Sequence, residues 1–372
     1  MLKKFSVTNF KGFKERLTLD LSEPLNYEFN KDLIQNGCVS KGILYGINGS
    51  GKSNLGLALF DIILNLTDKE KTFNKYQPYI NLDSKINFAS FEYTFEFDGI
   101  EVNYSYKKVA PAVLKEEKLI IDNKDVLEYD FEHNQGYSNL VGTEHINLVS
   151  NSMAMGQTIS RVKFLRNTAL LDHNDKINKA FISFTDFVDR MLMFYSLDER
   201  GYQGLSVGPD SFTQGIIRKG KTKDFEKLLH EQGVNLNLIE KDISGQKELF
   251  CHFASGDIPF FTIASTGTRS LALFYYWYLA MNEASFVYID EYDAFYHFEL
   301  SESLVKMLTK ITGTQIIIST HNTDLLSNEI LRPDCYFLLQ DNNIRSLNKL
   351  TEKDIRKAHN LQKMYKAGSF NV

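Results

Sequence analysis

Apolar and polar residues alternate through much of the first third of the chain, which predicts paired β-strands. The first alternating stretch, residues 3 to 21, turns at Lys11 to Lys14. Residues 88–97 and 100–106 alternate on either side of Asp98-Gly99, a strong hairpin signal, and residues 118–121 and 126–131 flank a polar turn in the same way. The pattern predicts an antiparallel β lobe.

One short run inside this region is continuously apolar and does not alternate with polar residues. Gly42 to Tyr45 are continuously apolar, as expected of a buried strand, and residues 46–53 then form a glycine-rich loop. Asn54 to Phe60 follow with helical spacing. The order strand, glycine loop, helix is the context in which phosphate-binding loops occur.

From about Gly156 the apolar spacing becomes helical, which predicts an inserted helical arm. No heptad pattern continues long enough to predict a coiled coil. A glycine-punctuated stretch, residues 201–220, then leads into a short amphipathic helix around Phe225 to Leu229. Two interpretations of the apolar residues in the arm are open, a partner-docking surface or the arm's own small core; these residues are Phe181, Phe184, Phe187, Met191, Met193 and Phe194.

The last third of the chain has apolar patterns that clearly predict helices and buried strands. A very apolar helix follows Ser270, and residues 286–291 form a buried strand that ends in two acids. Residues 298–311 have amphipathic helical spacing, and a second buried strand, residues 315–320, ends at His321. A hairpin around Asp341 to Asn343 and a polar tail from Lys353 complete the chain.

Charge argues against a generally basic nucleic-acid-coating protein. The chain of 372 residues has a formal net charge of −5 and a pI near 6.0. One compact basic cluster, Arg218, Lys219, Lys221 and Lys223, could contact nucleic acid. The commoner explanation is a solvated basic loop, since the cluster lacks interleaved aromatic residues.

The cysteines and the apolar runs suggest where the protein works. Cys38, Cys251 and Cys335 are far apart, with no metal-binding or disulfide spacing, which favours a reducing compartment. The longest apolar run, residues 271–281, is too short to span a bilayer. We therefore expect a cytoplasmic protein with no membrane segment.

The glycine loop carries the clearest chemistry in the sequence. It reads G-x-x-x-x-G-K-S, and backbone N–H groups of such a loop turn inward onto phosphates beside a helix N-terminus. Lys52 would reach the β and γ phosphate oxygens and serve catalysis, and Ser53 would ligate Mg²⁺. The sequence predicts ATP and Mg²⁺ as ligands, with the nucleotide held by Gly46, Asn48, Gly49, Ser50, Gly51, Lys52 and Ser53.

Two acids at the end of a buried strand fit the hydrolysis of a nucleotide bound at the glycine loop. Asp290 can hold the Mg²⁺ water shell, and Glu291, one residue further on, can polarise the attacking water. A third metal ligand, Gln77, is a candidate because it follows the loop helix, but Gln35, Gln135 and Gln157 are alternatives of the same kind.

The opening of the chain, Phe5-Ser6-Val7-Thr8-Asn9-Phe10-Lys11-Gly12-Phe13, followed by G-x-N-G-S-G-K-S, resembles ATPases related to RecF and to the structural-maintenance-of-chromosomes (SMC) proteins, a branch of the ABC ATPases. This resemblance implies an α/β fold, a P-loop ABC-ATPase head with an antiparallel β lobe and a helical insertion. The expected division is 1–150 for the N-terminal part of the head, 151–250 for the insertion and 251–372 for the C-terminal part.

The resemblance also implies roles for residues of the last third. His321 would contact the γ-phosphate, and Tyr292-Asp293-Ala294 corresponds to the D-loop, with Asp293 near the nucleotide. Ser265 and Gly267 stand where the ABC signature, L-S-G-G-Q, provides N–H groups to ATP on the opposite subunit. Ala264, Thr266 and Thr268 depart from the usual signature. An ATP-dependent homodimer or higher homo-oligomer, with slow hydrolysis by the chain alone, is expected.

A narrower resemblance rests on S-T-G-T-R-S-L, I-D-E-Y-D-A-F-Y-H, S-T-H-N-T-x-L-L and the tail from His359 to Gly368. These stretches are similar to bacterial ATPases of the overcoming-lysogenization-defect (OLD) family. OLD nucleases carry a Toprim domain, for which the roughly fifty residues after His321 are too few. The resemblance implies a stand-alone ATPase that senses infection and controls a separate effector, a toxin or nuclease from a neighbouring gene.

The alternative is a RecF-like ATPase that clamps DNA in recombination or repair. RecF-like proteins keep a fuller signature and a basic DNA-facing surface, and neither is clear in this sequence. Anti-phage defence is therefore favoured, with nucleic acid as a possible further partner. The neighbouring gene would discriminate between the two, since an effector-like reading frame supports the first and a recombination cluster supports the second.

Overall fold

The computed structural model of the chain divides into two compact units, which we describe separately. The first comprises Met1–Leu205, Ala284–Tyr292 and Thr314–Val372, and the second comprises Ser206–Glu283 and Asp293–Gly313. The structure describes residues 1–69, 73–149, 153–154, 156–195, 202–205, 212–293, 296 and 298–370.

One sheet of the first unit is the antiparallel lobe, with strand order β10-β9-β8-β7-β6-β1-β2. Along β6 every second side chain is buried, as the alternating sequence predicts. The hairpins β1–β2, β6–β7 and β8–β9 all pair antiparallel, as expected. The strands are β1 Leu2–Thr8, β2 Leu17–Asp20, β6 Ala89–Phe97, β7 Ile100–Ala110, β8 Val113–Ile121, β9 Lys124–Asp130 and β10 Gln135–Ser138. Two small pairs accompany it, β3 Ile34–Gln35 with β4 Cys38–Val39, and β11 Met153–Ala154 with β12 Gln157–Thr158.

The second sheet of this unit is mostly parallel, with strand order β14-β13-β18-β19-β5-β20-β21. Every residue of β5, β18 and β19 is buried, which explains their continuous apolar runs. Because these three strands are parallel, their carboxyl ends meet at one edge. The strands are β5 Lys41–Tyr45, β13 Met191–Tyr195, β14 Tyr202–Gly204, β18 Phe286–Asp290, β19 Gln315–Thr320, β20 Tyr336–Gln340 and β21 Asn343–Ser346.

The helix after the glycine loop, α1 Lys52–Leu66, is tied to the antiparallel lobe by a buried charge. Asp61 is fully buried and accepts from Lys108 Nζ at 2.7 Å and from the hydroxyls of Tyr79 and Tyr106 at 2.9 Å each. A buried carboxylate needs such partners, because transfer from water without them is costly. The other helices of this unit are α2 Arg161–Thr168, α3 Lys176–Asp189 and α9 Leu361–Lys366.

The apolar residues of the predicted arm are buried inside the first unit. Phe184 on α3 packs against Phe95 and Tyr104 of the antiparallel lobe, with ring centroids 5.3 Å apart in each pair. Met191, Met193 and Phe194 belong to β13, which pairs in parallel with β18. The docking-surface hypothesis is therefore wrong for these residues, and they do not form a separate small core either. Periodicity could not reveal this, because a short apolar strand resembles a buried helix segment.

The domain bounds also differ from those expected. Helices occur across the predicted insertion, but α2, α3 and β13 belong to the first unit, whereas α4 and α5 belong to the second. The second unit contains α4 Phe212–Arg218, α5 Thr222–Glu231, the antiparallel sheet β15 Leu238–Ile243, β16 Gln246–Phe253 and β17 Gly256–Pro259, and the helices α6 Phe260–Ile263, α7 Thr266–Met281 and α8 Phe298–Thr309. Part of the predicted glycine-punctuated stretch lies outside the described residues.

The three cysteines of the chain all lie among the described residues. Cys38, Cys251 and Cys335 are free thiols, all buried. No helix among the described residues has both the length and the apolar character needed to cross a bilayer.

Lys41, at the start of β5, gives a pH-dependent stability. Its side chain is buried, Nζ donates to the Thr314 carbonyl at 2.7 Å, and burial lowers its pKa from 10.5 to about 8. Folding therefore releases a proton between these two values, and the native state gains stability as the pH rises through that window. We expect the free energy of unfolding of the wild type to rise, relative to that of Lys41→Met, from pH 8 to 10.5. Chemical denaturation at both ends of the window measures this, and parallel profiles would contradict it.

Candidate nucleotide site

The loop between β5 and α1 is compact enough that only glycine fits at two of its positions. A Cβ atom on Gly51, whose φ is +104°, would lie 2.8 Å from the Phe13 ring. A Cβ atom on Gly46 would lie 2.3 Å from Ser50 Oγ. The loop therefore keeps its backbone accessible at the N-terminus of α1, and Asn48 and Gly49 are exposed at its tip.

Lys52 is buried beneath this loop. Its Nζ donates to the carbonyls of Gly46 at 2.9 Å and Ile47 at 3.3 Å, and lies 3.5 Å from Glu291 Oε1. One ammonium group thus joins the glycine loop to the end of β18.

Asp290 is the last residue of β18 and is almost completely buried. Burial raises the pKa of its carboxyl group, while hydrogen bonds from the Ser53 and Ser319 hydroxyls oppose that rise. The Ser319 bond is 2.7 Å long. The loop serine and the strand-end acid, predicted separately from the sequence, are thus direct neighbours.

Glu291 has a left-handed backbone, with φ of +46°, which is uncommon for a residue with a side chain. Its carboxylate lies between Lys52 Nζ and His321 Nδ1, 3.4 Å from the latter. His321 follows β19 and its ring is about half exposed, with 55% of the side-chain surface accessible. Glu291 therefore connects the buried loop lysine to a histidine at the surface.

Two residues of this cluster were missed by sequence reasoning. The Ser319 hydroxyl, buried in β19, donates to Asp290 and accepts from the Glu291 backbone N–H at 3.0 Å. The Tyr288 hydroxyl donates to the Lys52 carbonyl at 2.8 Å. Two features of the sequence could have identified them. Ser319 lies two residues before the candidate histidine, and Tyr288 lies two residues before the first acid.

Gln77 is not placed in the cluster by the described contacts. It is exposed, and its backbone carbonyl accepts from Lys11 Nζ at 2.9 Å. Lys11 lies two residues before Phe13, whose ring packs on Gly51. The Mg²⁺-ligand assignment of Gln77 stays a prediction.

The signature candidates Ser265 and Gly267 belong to the second unit, whereas the D-loop candidate begins with Tyr292 in the first unit and continues with Asp293 in the second. Ser265 caps α7, and its hydroxyl accepts from the Thr268 N–H at 3.1 Å. Ser265 is exposed and Gly267 is half-buried in the first turn, where an added Cβ would meet only Ser265 Oγ, at 3.9 Å. Asp293 is described, whereas Ala294 lies outside the described residues.

The donor chemistry of the cluster fits a nucleotide with Mg²⁺. No group of three or more His, Cys, Asp or Glu that could hold a metal occurs among the described residues. Mg²⁺ does not need one, since it is usually held by one or two carboxylates together with waters and substrate phosphates. A serine hydroxyl beside one buried carboxylate, next to a lysine under a glycine loop, is such an arrangement.

Ser319 gives a prediction of its own. Removing its hydroxyl takes one hydrogen bond from Asp290 and one from the Glu291 N–H, worth about 1.5–3 kcal/mol for the bond to the charged group. We expect Ser319→Ala to lower the rate of Mg²⁺-dependent ATP hydrolysis about 10- to 100-fold with little change in KM. Ser319→Thr, which keeps the hydroxyl, should restore part of the rate.

Ser40→Ala is the matched control, since Ser40 is also buried and its hydroxyl donates to the Leu33 carbonyl at 2.9 Å. Both alanine variants should lose some thermal stability, and only Ser319→Ala should lose hydrolysis. Equal rates in the two variants would show that Ser319 is only structural.

Together, the parallel sheet, the glycine loop between β5 and α1 and the antiparallel lobe give the mixed α/β P-loop fold that the sequence predicts. The chain belongs to the family described as "AAA domain, putative AbiEii toxin, Type IV TA system", whose model matches residues 43–327. Among solved structures it is similar to the SMC head domain from Thermotoga maritima, with 16% identity, 93% of this chain and 98% of that chain covered, and a TM-score of 0.41. No curated protein sequence matches it. The OLD-family assignment stays a prediction.

Proposed function

We propose that the protein binds ATP with Mg²⁺ and hydrolyses it to ADP and phosphate. One observation carries this proposal: Lys52, Ser53, Asp290, Glu291 and His321 come together where β5, β18 and β19 end. The family to which the chain belongs, described as an AAA domain, supports it. Each of these residues has a separate part in the reaction.

The loop N–H groups and Lys52 would hold the phosphates and neutralise the charge that develops on them. Ser53 and Asp290 would hold Mg²⁺, which would help to neutralise the negative charge of the phosphates. Glu291 would accept the proton of the attacking water, and His321, beside it, would contact the γ-phosphate.

We further propose that complete sites form in a homodimer. The N-terminus of α7, with Ser265 at its cap and Gly267 in its first turn, can provide backbone N–H groups to a nucleotide held by another copy. Asp293 would lie at the same interface. Hydrolysis per chain should then be slow at low protein concentration and rise with concentration, which a steady-state assay over a dilution series measures. A rate per chain that does not depend on concentration would contradict the dimer.

The ATP state would control a separate effector in defence against phage. The family description names a toxin and a toxin–antitoxin system, and this supports a role in such conflicts. The competing candidate, a RecF-like DNA-repair ATPase, has less support in the second unit: there Lys219, Lys221 and Lys223 each pair with a carboxylate.

The test is expression of the chain with and without its neighbouring gene, followed by phage challenge. Protection should require both genes, and Glu291→Gln should change the outcome only when both are present. Equal protection without the neighbour would contradict effector control. Sensitivity to DNA damage in a deletion strain, without any effect on phage, would favour the repair candidate.

A further inference from the structure

The surface near the C-terminus has a charge opposite to that of the whole chain. We define the basic segment as residues 349–366. It contains two acids, Glu352 and Asp354, and six basic residues, namely Lys349, Lys353, Arg356, Lys357, Lys363 and Lys366, in a chain of net charge −5. Such a local excess is a candidate surface for a polyanion.

The basic segment is an ordered part of the first unit. Ile355 and Leu361 are buried within it, and Phe370 is buried just beyond it. The Asn328 side-chain amide donates to three carbonyls of the segment, those of Arg356, Lys357 and His359, at 3.0 to 3.3 Å. The charges are thus presented by a backbone that is already folded, which lowers the entropy cost of binding.

Three of its lysines have no acidic partner among the residues that the structure describes. Lys353, Lys357 and Lys363 are exposed, and within the described chain none of them forms an ion pair. The basic cluster singled out from the sequence differs in this respect. Lys219 lies 3.3 Å from Glu283, Lys221 2.7 Å from Asp224 and Lys223 2.9 Å from Glu226. Free lysines can meet an external anion without first breaking an internal ion pair.

The chemistry favours phosphates over a protein surface. Protein interfaces have an apolar centre, yet the large exposed apolar side chains of the described chain all lie outside residues 349–366. Contacts to a nucleic-acid backbone need only positive groups and hydrogen-bond donors. We propose that the basic segment binds the phosphate backbone of a nucleic acid, independently of base sequence.

The segment also touches the loop that follows the candidate histidine. Asp324, three residues after His321, accepts from the Gln362 side-chain amide and lies 3.8 Å from Lys366 Nζ. A phosphate at Lys366 competes with Asp324 for this ammonium group. Binding of a phosphate at Lys366 therefore involves a side chain that lies beside Asp324, in the loop after His321.

The test is fluorescence anisotropy with labelled duplex DNA and duplex RNA of mixed sequence, about three helical turns long, over a salt series. Wild type should bind one or both in the micromolar range, with affinity falling as salt rises by about 0.9 log units per phosphate contact and per log unit of salt. Lys353→Gln/Lys357→Gln/Lys363→Gln should weaken binding at least about tenfold and flatten the salt dependence.

The matched control is Lys219→Gln/Lys221→Gln/Lys223→Gln, which removes the same charge from the ion-paired cluster and should bind as wild type does. The charge-preserving variant Lys353→Arg/Lys357→Arg/Lys363→Arg should also preserve binding. Unchanged circular dichroism and thermal unfolding of the glutamine variants confirm that they are folded. Equal losses in the two glutamine variants, or no binding of wild type to either duplex, would overturn the proposal. Binding of polyglutamate, or of anionic vesicles in preference to both duplexes, would also overturn it.

Discussion

Lys52→Ala is expected to remove most of the affinity for ATP. The substitution deletes a buried ammonium group directed at the loop carbonyls and at Glu291, and with it a charge-assisted contact to the phosphates worth about 1.5–3 kcal/mol. That energy corresponds to a dissociation constant roughly 10 to 150 times larger. The rate of hydrolysis should fall further, because Lys52 also stabilises the transferring phosphate. Isothermal titration with a non-hydrolysable ATP analogue measures the first effect.

Lys41→Met provides the control, because Lys41 is likewise a buried lysine of the first unit, at the opposite end of β5. That variant should change stability and leave ATP affinity as it is. Should Lys52→Ala bind the analogue as tightly as wild type, residues 46–53 would not be a phosphate loop.

Glu291→Gln is expected to keep ATP binding and lose hydrolysis. Glutamine preserves the shape of the side chain at this left-handed position but cannot accept a proton from water, and loss of a general base typically costs about 10²–10⁴ in rate. With hydrolysis blocked, the ATP-bound dimer should accumulate. Asp290→Ala should differ, since it removes the carboxylate beside Ser53 and impairs the Mg²⁺-dependent binding itself.

Light scattering after gel filtration, with and without ATP, measures the mass of the Glu291→Gln protein. The control variant Glu116→Gln removes an exposed carboxylate paired with Lys107 at 2.7 Å and should behave as wild type, because surface ion pairs contribute little. Adding Ser265→Arg to Glu291→Gln should prevent the dimer by filling the space above the opposing phosphate. A mass that is the same with and without ATP would count against an interface built on Ser265. It would not contradict the proposed ATP site.

The parts of the site that the sequence could predict are those determined by local order along the chain. The glycine loop between an apolar strand and a helix is visible within residues 42–60, and the two acids directly follow a buried apolar run. Parallel pairing of β5, β18 and β19 then brings Lys52, Asp290 and His321 to one edge, as the fold class implies.

The parts that could not be predicted depend on partners far away in the sequence. Met191 to Tyr195 form a strand only because β18, almost a hundred residues later, lies beside them. Ser319 bridges the two acids because β19 places its hydroxyl against the end of β18, which periodicity does not encode. The same holds for Asp61, whose partners on β7 and at Tyr79 decide that a charge can be buried on α1.

The position of β5 in its sheet has a consequence for synthesis of the chain. Ile43 on β5 pairs with Ile318 on one side and with Tyr336 on the other, so both neighbours leave the ribosome long after it does. Pairing at such sequence separation is slow, because chain closure precedes any stabilising contact. A nascent chain that ends before residue 314 has the glycine loop and neither β19 nor β20. Termination before residue 314 therefore yields products in which β5 and β18 have no β19 between them, so the edge at which Lys52, Asp290 and His321 meet cannot form.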